Sequence, residues 1–149
     1  MISRRQARRQ ALVLLYQWDL SGGAEIGSQY GGEVDPWARE LVEEVAAGAS
    51  GLDERITSAS EGWTADRLGV VERSALRVAI LELDRGDVPP EVAINEAVAF
   101  AKRYASADAA RLVNGILGRI QRDEALGLPG RALPASSGAA GADGGEGRA

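Results

Sequence analysis

The chain has 149 residues and a formal net charge of −5, enough length for one domain with a real core. It contains no cysteine and no histidine, which excludes disulfides, thiolate nucleophiles, thiolate or imidazole zinc sites and proton shuttling through imidazole. No stretch approaches the about 20 apolar residues of a membrane span, and the charged N-terminus lacks a signal-type apolar core, so the expectation is a soluble cytoplasmic protein without a membrane partner.

The first predicted helix runs from Ser3 to about Leu20. Ser3 suits the N-cap, and Ala7, Ala11, Leu14, Leu15 and Trp18 form one apolar stripe at 100° per residue. Arg4, Arg5, Arg8, Arg9, Leu12 and Tyr16 occupy the adjoining arc, a basic face with an aromatic two turns beyond Arg9. These four arginines stand in the first ten residues with no acid among them, so the rest of the chain is more acidic than the total suggests. Long-range repulsion then discourages indiscriminate polyanion binding while one basic patch still grips phosphate locally.

"SGG" at 21–23 ends this helix, and a polar loop leads to Asp35. "DPWARELVEEVAAGA" reads as a second helix, capped by Asp35, opened by Pro36, lined by Trp37, Leu41, Val45 and Ala49, and closed by Gly51. A weaker helix follows over about Leu52 to Ser60, and then a short helix feeds a long one. That long segment, about Val70 to Leu83, is apolar around most of its circumference, as expected of a central helix packed on several sides. "DVPPEVAINEAVAFAKRYA" predicts the next helix, opened by Pro89 and Pro90. "SADAARLVNGILGRIQ" predicts the last, with Ser106 as N-cap and Asp108 in its first turn. No segment has strand period, so the class is all-α.

From Gly127 the chain holds 7 of its 19 glycines. Such a Gly/Ala/Pro/Ser-rich stretch buries too little to offset its ordering entropy. Residues 1–126 therefore read as a helical domain and 127–149 as a disordered tail.

"RRQARRQALVLLYQWDLSG", "RLGVVERSALRVAILEL" and "VPPEVAINEAVAFAKRYASADAARLVNGILGRI" together resemble the NusB family of bacterial transcription antitermination factors, over about residues 3 to 122. The resemblance implies a seven-helix fold of two bundles, found as monomer or homodimer. It implies that the chain binds NusE, a small-subunit ribosomal protein, and with it the single-stranded boxA element of nascent RNA, supporting RNA polymerase in read-through, notably of ribosomal RNA operons. No catalysis and no cofactor are implied.

Arg4, Arg5, Arg8 and Arg9 match the arginine-rich start that contacts RNA in the family. Guanidinium pairing with phosphate suits that role, whereas arginines at i, i+4 near the positive end of a helix dipole repel one another until an anion arrives. Tyr16 corresponds to a tyrosine at the RNA surface and suits a stacking platform, or else a half-buried core position. Lys102, Arg103, Tyr104, Asp108, Arg111 and Leu112 surround the junction of the last two helices, which by resemblance completes the RNA surface. The same charges also complement the two helix dipoles there. Leu112 stands where many relatives place phenylalanine. Glu72 matches an acidic position at the NusE contact. Asn95, Glu96 and Asn114 are expected to bond between helices or to helix ends, and Gly115 to permit close helix packing.

Other readings are a helical protein-interaction scaffold without RNA binding, an isolated NusB-like domain acting in ribosomal RNA maturation, and a DNA-binding regulator. A NusB-like domain also fronts some ribosomal RNA cytosine methyltransferases, but those need a cysteine and a nucleotide-binding α/β domain, and this chain has neither. A helix-turn-helix reader would carry its polar side chains on an exposed second helix, whereas the basic cluster here lies on the first.

Overall fold

In the computed structural model, which describes residues 2–127, α1 spans Arg4–Leu20, α2 Pro36–Ala47, α3 Ala49–Ala59, α4 Val70–Arg85, α5 Pro90–Tyr104 and α6 Ala107–Ala125. Side chains and prolines satisfy or remove the first amides of α1, α2, α5 and α6, as the sequence predicts, while α3 and α4 begin at Gly48 and Gly69 without a side-chain cap. Ser3 and Gln6 close a reciprocal capping box at α1, with the Gln6 amide donating to Ser3 Oγ at 3.1 Å and the Ser3 amide to Gln6 Oε1 at 2.8 Å. Asp35 accepts from the amides of Trp37 and Ala38 above α2, and Ser106 accepts from that of Ala109 above α6. Pro36 and Pro90 occupy first-turn positions, where an absent N–H is harmless.

The class is all-α, and no strand occurs among the described residues. Where the resemblance implies seven helices, the described residues form six α-helices and one 3-10 turn, Ala65–Arg67. The tail expected at 127–149 lies outside the described residues from 128 onward. One boundary moves: α2 ends at Ala47, and Gly48, not Gly51, makes the turn. The Gly48 amide donates to the Glu44 carbonyl at 3.0 Å while its own carbonyl accepts from the Leu52 amide at 3.0 Å, so one glycine serves both helices and Gly51 falls inside α3.

α4 is the hub. It packs against α1, α2, α3, α5 and α6, while α1 pairs with α2 and α5 with α6. Ala75, Leu76, Val78, Ala79 and Ile80 are buried on α4 and join one core with Leu14 and Leu15 of α1, Leu41, Val42 and Val45 of α2 and Val113, Ile116 and Leu117 of α6. Arg55, Arg77 and Glu82 are buried as well, each with partners. Arg77 donates to both Asp53 oxygens at 2.8 Å and to Asp19 at 3.1 Å, and Arg73 donates to the same Asp19 oxygen at 2.8 Å. Burial alone would disfavour the charged Arg77 guanidinium, but Asp53 and Asp19 overcome it and hold the pKa above the usual arginine value. These pairs tie α1 and α3 to the hub.

Gln10 fastens the 21–35 loop to α1: its side-chain amide donates to the Tyr30 hydroxyl at 3.1 Å and the Glu33 carbonyl at 3.2 Å, and its oxygen accepts from the Asp35 amide at 2.6 Å. The start of α2 is thereby set beside the arginines of α1.

Candidate nucleic-acid interface

The four arginines of α1 divide into two kinds. Arg4, Arg5 and Arg9 are exposed, whereas Arg8 is only 3% exposed and donates from Nε and Nη2 to the two oxygens of Glu82 at 2.7 and 2.8 Å. Arg8 is thus corrected from the RNA face to a buried anchor of α1 on α4. Leu12, one turn further along the same line, is also buried, at 1%. Arg8 turns inward because Glu82 of α4 offers it a carboxylate, and Leu12 because it joins the apolar core.

The exposed three are held from both sides. The Arg4 guanidinium lies 4.4 Å from the Trp37 ring centroid, a cation–π contact with α2. Arg5 Nε pairs with Glu96 Oε2 at 3.0 Å, and Arg9 Nε stands 3.8 Å from Glu96 Oε1. Glu96 belongs to α5, so it links two helices as expected, and it positions two exposed cations. Asn95 and Asn114 do not follow that expectation, since both are exposed. A Cβ at Gly115 would meet nothing within 4 Å, so Gly115 does not serve close packing.

Beyond Glu96 a cavity of about 360 Å³ opens between α1 and α5, lined by Arg9, Glu96, Ala99, Phe100, Arg103 and Tyr104. The Phe100 and Tyr104 rings stand 4.9 Å apart at 46°, and the Arg103 guanidinium lies 5.4 Å from the Tyr104 centroid. Tyr104 is 54% exposed, a large aromatic surface in water beside cations. Sequence reasoning missed Glu96 and Phe100 as parts of this site. The i, i+4, i+8 spacing of Glu96, Phe100 and Tyr104 along one helix line was the available signal.

The remaining candidates are spread more widely. Lys102, Asp108, Arg111 and Leu112 are exposed around the α5–α6 junction, and Asp108 pairs with Arg111 one turn along. Tyr16 is half-buried on α1. Glu72 is half-buried in the first turn of α4 and folds back over Gly69, where a Cβ would collide with its carboxylate. Among the described residues no group of His, Cys, Asp or Glu is arranged to hold a metal ion, and no helix is long and apolar enough to cross a membrane.

Fold and surface together define an all-α protein that presents a cationic, aromatic face where its first helix meets α5. The pattern characteristic of the NusB family matches residues 5–122, and the chain belongs to that family. A transcription antitermination protein NusB of Rubrobacter xylanophilus is 42% identical over 139 residues, covering 89% of this chain and 99% of the relative. The crystal structure of NusB from T. maritima superposes with a TM-score of 0.71 at 31% identity, covering 82% of this chain and 92% of that one. A chain in the crystal structure of antitermination factors NusB and NusE in complex with dsRNA superposes with a TM-score of 0.69 at 30% identity, covering 80% and 96%.

Proposed function

We propose that this protein is a cytoplasmic transcription antitermination factor that binds boxA-type single-stranded RNA jointly with NusE and supports read-through by RNA polymerase. The observation that carries the reading is the continuity of the exposed Arg5 and Arg9 of α1 with the aromatic cavity of α5 across Glu96, with exposed Arg4 beside them on the same helix. Guanidinium groups grip phosphates irrespective of sequence, while exposed aromatics stack on bases that pairing does not occupy. The combination favours an unpaired strand over a duplex, and membership of the family supplies the antitermination context.

The mechanism is the joining of two weak surfaces. This chain offers the arginine face and the α5–α6 junction, with Lys102, Tyr104, Arg111 and Leu112 exposed on it, and half-buried Tyr16 on α1. NusE, seated beside Glu72, offers the remainder of the RNA track. Binding one partner preorganises the site for the other and raises its effective concentration.

The test is fluorescence anisotropy of a boxA-type RNA and a scrambled one, with and without purified NusE. NusE is expected to tighten boxA binding at least tenfold and the scrambled RNA far less. Equal affinity with and without NusE would contradict the joint mechanism. Binding of NusE with no RNA bound under any condition would favour the scaffold reading. Glu72→Lys places a cation where a basic partner surface would sit, so NusE affinity should fall about tenfold or more while RNA binding by the chain alone stays within twofold. Pull-down with NusE and titration with RNA alone separate the two.

A further inference from the structure

We propose that the cavity between α1 and α5 is a slot for one unpaired nucleobase, in which Glu96 selects bases carrying an amino group over uracil. The inference rests on RNA binding by this face and adds what the face reads. A volume of about 360 Å³ falls within the range of about 300–1,000 Å³ typical of small-ligand sites. The exposed Tyr104 ring, propped against Phe100 and flanked by the Arg103 guanidinium, supplies a stacking surface. Arg9 and Arg103 stand ready for the phosphates on either side of an inserted nucleotide.

Selection follows from the inventory of polar atoms in the lining. Arg9 and Arg103 are donors only, Ala99 and Phe100 have no side-chain polar atom, and the Tyr104 hydroxyl both gives and accepts. Glu96 alone supplies a carboxylate acceptor. Its Oε2 is occupied by Arg5 at 3.0 Å, but its Oε1 lies 3.8 Å from Arg9 Nε, beyond hydrogen-bond length, and keeps its accepting capacity. The carboxylate is 12% exposed, so water competes weakly for it. Cytosine, adenine and guanine each offer an exocyclic amino group with two donor hydrogens, while uracil has a carbonyl oxygen where cytosine has its amino group and only the ring N3–H, set between two carbonyl oxygens that the carboxylate repels, to give.

The experiment compares cytidine and uridine octamers by anisotropy at low salt, using the full chain and the variants Glu96→Ala and Tyr104→Ala. The wild type is expected to prefer the cytidine octamer about fivefold or more, as a hydrogen bond to a charged acceptor provides. Glu96→Ala should bring that preference within twofold while both affinities rise, because Arg5 and Arg9 are released to the phosphates. Tyr104→Ala should weaken both octamers and reduce the preference, which keeps the test decisive if Glu96→Ala fails to fold by circular dichroism. A wild type without preference, or a preference that survives the substitutions, would overturn the slot while leaving RNA binding by the arginine face intact. A wild type that binds neither octamer, alone or with NusE, and no boxA-type RNA with NusE would overturn both.

Discussion

Arg8→Ala is expected to lower the unfolding free energy by about 3–5 kcal/mol, the loss that follows when one partner of a buried ion pair is removed. Arg8 and Glu82 have side chains 3% and 4% exposed and are joined by two hydrogen bonds of 2.7 and 2.8 Å. Truncating the arginine strands a carboxylate in the packing between α1 and α4, where neither water nor another cation replaces two charge-assisted bonds. Glu82→Ala should cause a similar loss, whereas Arg8→Met combined with Glu82→Leu should recover most of it, because two apolar side chains remove both desolvation penalties together. Urea denaturation of the four proteins checks this. Arg5→Ala provides the contrast: its side chain is 64% exposed, and its loss should cost less than about 1 kcal/mol. If Arg8→Ala were as mild as Arg5→Ala, the division of the arginines into anchor and contact would be wrong.

The triple substitution Arg4/Arg5/Arg9→Ala is expected to weaken RNA binding roughly a hundredfold at about 0.1 M salt. Each guanidinium that neutralises a phosphate contributes about −0.7 to the slope of log K against log salt for a single strand, which at that salt is roughly fivefold per contact. All three side chains are exposed, so the fold should survive; Arg4 gives up a cation–π contact with Trp37 worth about 0.5–1 kcal/mol. Anisotropy titration of the same RNA with wild type and variant, after circular dichroism shows equal helicity, measures the effect. An unchanged affinity would leave the exposed arginines without the role assigned to them.

Most of the fold was legible because it is written locally. Ser3, Asp35 and Ser106 cap the helices at their own positions, the α1 stripe of Ala7, Ala11, Leu14 and Leu15 is buried, and the apolar circumference of α4 marks the hub. What was not legible depends on partners distant in sequence. Arg8 and Glu82 are 74 residues apart, so helical periodicity alone left Arg8 on the basic arc. Arg77 likewise sits in an apolar helix because Asp19 and Asp53 arrive from two other helices. Gly115 lies in a family-like motif, yet a Cβ there would meet nothing within 4 Å, because the residue lies on the exposed side of α6. At the site, the exposed arginines were readable from composition and spacing. Their connection through Glu96 to the α5 cavity needed the packing of α1 beside α5.

The measurement that tests the arginine face most directly is the salt dependence of RNA affinity for the wild type and the Arg4/Arg5/Arg9→Ala variant, each with NusE and a boxA-type RNA. With about four to six phosphates neutralised, log K should fall against log salt with a slope of roughly −3 to −4, and the variant should be shallower by about 2. Equal slopes for the two proteins would contradict the account, because they would mean that the exposed arginines of α1 touch no phosphate.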